Sequence, residues 1–111
     1  MSTPESRIQL AILKHLREQG TFCWRNNNGA LHDQKLNNGY GGYRAQSQYA
    51  APGAPDIICI LDGGTFCALE VKTKTGRQSA DQKFFEKRCD SRGALYHVVR
   101  SLADVKLLDL K

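Results

Sequence analysis

Long apolar runs are missing from this 111-residue sequence, and no stretch approaches the roughly 20 apolar residues that a membrane-spanning helix needs. The first residues, Met-Ser-Thr-Pro-Glu-Ser, also lack the basic and apolar segments of a secretory signal. We therefore expect a cytoplasmic protein with no membrane partner.

Paired cysteines are missing as well. The sequence has four cysteines but no Cys-x-x-Cys pair, and its histidines do not have zinc-finger spacing. This pattern argues against a structural zinc site, and we expect reduced, buried thiols at Cys23, Cys59, Cys67 and Cys89.

Acidic residues are fewer than basic ones, 11 against 16, which gives a formal net charge of +5. Such a balance favours a polyanionic partner without identifying it. A chain of this length is expected to form one domain over residues 1–111.

The N-terminal segment has the pattern of an amphipathic helix. Thr3 is a suitable N-cap and Pro4 suits the first helical position. Apolar residues recur at Ile8, Ile12 and Leu16, and Gly20 is suited to end the helix. A short strand is predicted next, over residues 21–25.

Residues 26–53 are rich in turn-forming Asn and Gly, with at most one strand near residues 43–49. A loop of this length is either functional or a flexible insertion, and the sequence leaves both open. The glycines at 39–42 do not follow the strand–loop–helix pattern of a phosphate-binding motif, so we expect no nucleotide cofactor.

Two apolar strands are predicted at residues 56–61 and 66–72, joined by the hairpin loop 62–64. A helix at 79–91 and a strand at 94–99 follow, and Ser101 with Asp104 resembles a capping box that opens a last helix through Leu110. The order α-β-loop-β-β-α-β-α predicts an α/β fold with a mixed central sheet flanked by helices.

The predicted hairpin brings two carboxylates together. With a three-residue loop, Asp56 lies opposite Glu70, and facing Cβ atoms in an antiparallel pair are roughly 4.5–5.5 Å apart. Carboxylates this close repel each other unless a cation lies between them. Strand alternation puts Lys72 on the same face as Glu70.

These residue types suit the hydrolysis of a phosphodiester. A divalent metal held by Asp56 and Glu70 would activate water, and Lys72 would stabilise charge at the phosphate. Taken separately, Pro-Asp is a common turn device and Glu-x-Lys a common solvated strand pair. Their juxtaposition across a hairpin favours a catalytic function.

One sequence pattern resembles the signature of PD-(D/E)XK nucleases. In it, Pro55-Asp56 is followed, after thirteen residues, by Glu70-Val71-Lys72. With Gly53, Ser79 and Gln82, the pattern is similar to the VRR-NUC family of that superfamily. The likeness covers most of the chain, up to the segment at residues 96–101.

This resemblance implies a restriction-endonuclease-like core and a nuclease that depends on Mg²⁺ or Mn²⁺. It adds Gln82 to the active site and the Val71 carbonyl to the metal ligands. Glu5 would contact the metal directly or through water, although an acid there also suits the helix dipole. The resemblance further implies a homodimer that cuts branched DNA such as four-way junctions, in recombination or repair, and in the host cytoplasm if a phage encodes it.

Basic side chains around the predicted site are candidates for contacts with DNA phosphates, which would make binding salt-dependent. These candidates are Arg25, Arg44, Lys74 and Arg77. Lys83 and Lys87 fit a solvated helix face better. The alternatives are a flap, nicking or restriction-type nuclease, or a catalytically silent DNA-binding module.

Overall fold

The computed structural model describes residues 3–26 and 51–111. Within these residues the chain forms three helices and four strands in the predicted order. They are α1 (Pro4–Glu18), β1 (Phe22–Arg25), β2 (Ile57–Ile60), β3 (Phe66–Val71), α2 (Ala80–Asp90), β4 (Leu95–Val99) and α3 (Leu102–Leu108).

The four strands form one sheet in the order β1-β2-β3-β4. The pairs β1–β2 and β2–β3 are antiparallel, whereas β3 and β4 are parallel. A parallel neighbour requires a crossover connection, and α2 lies in that connection. The predicted mixed sheet of an α/β fold is therefore confirmed.

Helices cover both faces of β3. On one face Leu69 and Val71 pack in a cluster with Ile12 of α1 and Val105 of α3. On the other face Ala68 of β3 packs with α2 and β4 residues, among them Cys89 and Tyr96. Burial on both sides explains why β3 is an almost continuous apolar run. Glu70, on the α2 side of this run, is the exception.

The helix ends follow the predicted signals with two differences, both in the last helix. The Thr3 hydroxyl accepts the Ser6 N–H, and the Ser101 hydroxyl accepts the Asp104 N–H. The Asp104 carboxylate, however, accepts the N–H of Arg100 rather than that of Ser101, so the predicted capping box is shifted by one residue. The last helix ends at Leu108, short of the predicted Leu110, because Asp109 adopts a left-handed conformation with φ 53°.

The cysteines lie inside the fold. All four cysteines are buried and unpaired, as predicted. None of the helices in the described part of the chain is long and apolar enough to cross a membrane. Most of the predicted loop at 26–53, including the possible strand at 43–49, lies outside the described residues.

Candidate active site

The hairpin of β2 and β3 has the predicted register. Ile57 pairs with Leu69 and Ile60 with Phe66, and the Leu61 N–H donates to the Thr65 carbonyl across the turn. If the same register is continued one residue beyond the Ile57–Leu69 pair, Asp56 lies opposite Glu70. Strand alternation then places Glu70 on the face that α2 covers.

Asp56 is held by both neighbouring strands. One oxygen of its carboxylate, Oδ2, accepts the backbone N–H of Val71 at 2.8 Å. Its own carbonyl accepts the N–H of Asn26 at 2.7 Å, and the Asn26 side-chain amide donates to the Pro55 carbonyl at 3.0 Å. Asn26 thus fixes the Pro-Asp turn from the end of β1. The sequence pattern predicts only that Asn26 begins the loop, and gives no sign of this contact.

Glu70 is a buried acid with only 2% of its surface exposed. One oxygen, Oε2, accepts a hydrogen bond from Gln82 Nε2 at 2.7 Å and lies 3.7 Å from Lys72 Nζ. The other, Oε1, is buried and has no hydrogen-bond partner among the described residues. Buried carboxylate oxygens are normally satisfied, so Oε1 needs either a proton shared with Asp56 or a bound cation.

Gln82 links Glu70 to the start of α2. Its backbone N–H donates to the Ser79 hydroxyl, and its side-chain Oε1 accepts the Ser79 backbone N–H at 2.8 Å. This capping box uses the carbonyl end of the amide, so the NH₂ end is turned toward Glu70. One side chain therefore both caps the helix and orients the Glu70 carboxylate.

The two carboxylates, Asp56 and Glu70, interact unfavourably when both are ionised and no cation lies between them. Burial, followed by the charge and hydrogen bonding of Asp56, raises the pKa of Glu70 from its usual 4.5 to about 8. Lys72 opposes this rise in pKa, and the charge of Glu5 adds to it. A positive ion between the carboxylates would relieve both the repulsion and the desolvation.

Comparison with known proteins identifies the family and the fold. The sequence matches the VRR-NUC domain family over residues 3–103. The chain belongs to this nuclease family. A solved structure described as a VRR_NUC domain is 25% identical in sequence, with a TM-score of 0.68, and the alignment covers 96% of this chain and 95% of that one. No curated protein gives a significant match.

The donor set of this VRR-NUC site fits a hard divalent ion. Asp56 and Glu70 offer carboxylate oxygens, and Glu70 Oε1 is available. Mg²⁺ characteristically binds one or two carboxylates and fills its remaining positions with water and substrate phosphate. The described residues include no group of three or more His, Cys, Asp or Glu placed to hold a metal. Glu5 is half-buried and lies close enough to influence Glu70, and its contact with a metal stays a prediction, as does that of the Val71 carbonyl.

Lys74 and Arg77, two of the predicted DNA contacts, are exposed in the segment that follows β3. Arg100 Nη1 holds this segment by donating to the carbonyls of Thr73 at 2.6 Å and Gly76 at 2.7 Å. This positioning contact was not predicted, because the sequence does not reveal which carbonyls an arginine will meet. Arg25 is exposed at the end of β1, and Arg44 lies outside the described residues.

Gly53 lets the Pro-Asp turn pack against the start of α2. It has φ +78°, and a Cβ atom added there would lie 2.4 Å from the backbone carbonyl atoms of Asp81 and 2.7 Å from the Gln82 nitrogen. The start of α2 cannot move away without displacing Gln82, and the turn at Gly53 cannot move away without displacing Asp56. The glycine of the VRR-NUC motif is therefore required sterically.

We expect Gly53→Ala to destabilise the VRR-NUC domain more than Gly63→Ala. Both glycines have positive φ, near +80 to +90°, so both variants carry the cost of about 1 kcal/mol for a left-handed residue. Only Gly53 also meets backbone, since nothing lies within 4 Å of a Cβ at Gly63. Urea denaturation should show an additional loss of about 1–3 kcal/mol for Gly53→Ala. Equal losses for the two variants would contradict the steric account.

Proposed function

We propose that this chain is a metal-dependent, structure-selective endonuclease that hydrolyses phosphodiester bonds in DNA, with branched DNA such as a four-way junction as its substrate. The observation that carries the proposal is the buried Oε1 of Glu70, which has no hydrogen-bond partner among the described residues. Lys72 Nζ lies 3.7 Å from the other oxygen of this carboxylate, Oε2, and the charge of Asp56 acts on the same group. This combination costs stability and is explained by binding of a cation and a phosphate.

Each residue has a separate task in this proposal. Asp56 and Glu70 hold Mg²⁺ or Mn²⁺, which when bound supplies Lewis-acid activation of water and of the phosphate. Lys72, 13% exposed, presents its ammonium to the charge that develops on the phosphate and helps to orient the attacking water. Gln82 keeps the Glu70 carboxylate in the orientation that the metal requires.

DNA as the substrate is implied by a nuclease domain, and the net charge of +5 is complementary to it. Symmetric cutting of a four-way junction requires two active sites, so we propose a homodimer. Sedimentation should then give about twice the chain mass of 12.4 kDa. We also propose that the protein acts in the cytoplasm, where divalent metal and DNA are both present.

The function is tested by a substrate panel of linear duplex, flap and four-way-junction DNA, each incubated with Mg²⁺, with Mn²⁺ or with EDTA. We expect the junction to be cut fastest, at symmetric positions, and no cutting in EDTA. Cutting of linear duplex at one sequence would instead indicate a restriction-type enzyme. No cutting of any substrate with either metal would indicate a DNA-binding module and refute the proposal.

A further inference from the structure

A groove runs along α2 on the side of the sheet that carries Glu70. Its volume is about 630 Å³, within the range of small-molecule sites. Aromatic and cationic side chains make up half of its described lining residues. They are Phe66, Phe84, Phe85, Arg88 and Arg92.

The groove adjoins the active site through two elements. Asp81, in its wall, directly precedes Gln82, whose side chain binds Glu70. Phe66 lies on β3 four residues before Glu70, on the same face of the strand, a separation of roughly 13 Å along the strand. A DNA strand with its phosphate at Glu70 can therefore place a base a few nucleotides away in the groove.

Phe84 is the unusual residue in this groove, because 60% of this large aromatic side chain is exposed. The Arg88 guanidinium lies 5.7 Å from the centre of its ring, a cation–π geometry. One face of the ring and the plane of the guanidinium can each accept another flat group. Phe85, one residue on, is half-buried and packs against Tyr96 with ring centres 6.2 Å apart, so the floor of the groove is fixed.

The charge of the groove selects among flat ligands. Among the described residues, its lining includes two arginines, Arg88 and Arg92, and a single acid, Asp81. Aromatic side chains beside cations are the combination that binds single-stranded nucleic acid, in which bases stack on rings and phosphates pair with arginine. A neutral apolar peptide would use the rings but not the arginines.

We propose that this groove binds an unpaired nucleobase of the DNA substrate, stacked on Phe84, with Arg88 and Arg92 at the adjoining phosphates. The inference rests on the proposed function, since it assigns the ligand to the same DNA strand. It also gives a physical reason why the protein would select branched DNA over intact duplex. Bases in an intact duplex are stacked within the helix and unavailable, whereas those at branch points and in flaps can leave the stack at lower cost.

The test compares binding of two oligonucleotides in EDTA, where no cutting occurs. One is a short oligothymidylate, and the other has the same backbone with abasic positions. Fluorescence anisotropy should show that the wild-type protein binds the base-containing strand about fivefold or more tightly. Phe84→Ala should bring this ratio close to one, and Phe84→Tyr, which keeps the ring, should retain it.

Leu107→Ala is the matched control, because Leu107 is 84% exposed and lies on α3. We expect it to leave the ratio unchanged. An unchanged ratio in Phe84→Ala, or no base preference in the wild-type protein, would overturn the inference. So would a change in sedimentation mass caused by Phe84→Ala, which would mark the groove as a protein interface.

The outcomes separate this inference from the proposed function. A Phe84-dependent base preference in a protein that cuts no DNA would refute the nuclease proposal alone. Cutting of junctions with no contribution from Phe84 would refute only the stacking site.

Discussion

Lys72→Ala is expected to reduce DNA cleavage by about 10²–10³-fold while DNA binding changes little, because its ammonium acts on charge that develops only during the reaction. Lys72 lies 3.7 Å from Glu70 Oε2 and is only 13% exposed, so it is held at the site rather than free in solvent. Single-turnover cleavage of the preferred substrate in Mg²⁺ measures the chemical step, and anisotropy in EDTA measures binding.

Lys74→Ala is the matched control for this change. It removes the same charge two residues further along the chain, from an exposed position. We expect it to weaken binding slightly and to lower the salt dependence of binding, with little effect on the bound rate. If the two variants cleave at similar rates, Lys72 contributes only general attraction for DNA and its catalytic assignment is wrong.

Glu70→Gln is expected to stabilise the metal-free protein at high pH while abolishing cleavage. The pKa of Glu70 is raised to about 8 in the folded chain, from a usual value of 4.5. The folded state therefore binds this proton more tightly than the unfolded state does. The stability that the folded state gains from holding this proton is fully present below pH 4.5 and is lost as the pH rises through 8.

Urea denaturation in EDTA at a series of pH values checks this expectation. Since one pKa unit corresponds to about 1.4 kcal/mol, the free energy of unfolding of the wild-type protein should fall by a few kcal/mol relative to Glu70→Gln between pH 5 and pH 9. Glu18→Gln, at an exposed position near the end of α1, should follow the wild-type profile. Parallel profiles for wild type and Glu70→Gln would show that Glu70 is not a destabilising buried acid.

The hairpin illustrates how far local sequence determines this structure. The Asp-Gly-Gly segment at residues 62–64 sets a three-residue loop, and that loop length fixes the register of every pair behind it. The loop length therefore predicts that Asp56 lies opposite Glu70, and the hairpin has this register. Lys72 followed from strand alternation alone.

Other parts of the site depend on contacts between distant segments, which no local pattern encodes. Asn26 holds the Pro-Asp turn from 29 positions earlier in the sequence, and Arg100 reaches back 24 to 27 positions to the segment after β3. Both side chains bond to backbone carbonyls, which every residue possesses. Such contacts leave no residue-specific signature in a single sequence.

The two ends of the last helix show where a local sequence pattern predicts the structure only in part. The pattern Ser101-x-x-Asp104 predicted a capping box and gave the start of α3 correctly. Asp104 is one methylene shorter than Glu, and its carboxylate bonds to the N–H of Arg100 rather than Ser101. The left-handed conformation of Asp109 then ends the helix without a glycine, which the sequence did not signal.

The most direct test of the account is a titration of Mn²⁺ into DNA-free protein, followed by the electron paramagnetic resonance signal of free Mn²⁺, for wild type and Asp56→Asn. Asp56→Asn retains the shape of the side chain and an oxygen that can accept the Val71 N–H, but it removes one of the two facing charges. We expect one Mn²⁺ site per wild-type chain and loss of that site in Asp56→Asn. Equal binding by the two proteins, or no site in either, would contradict it.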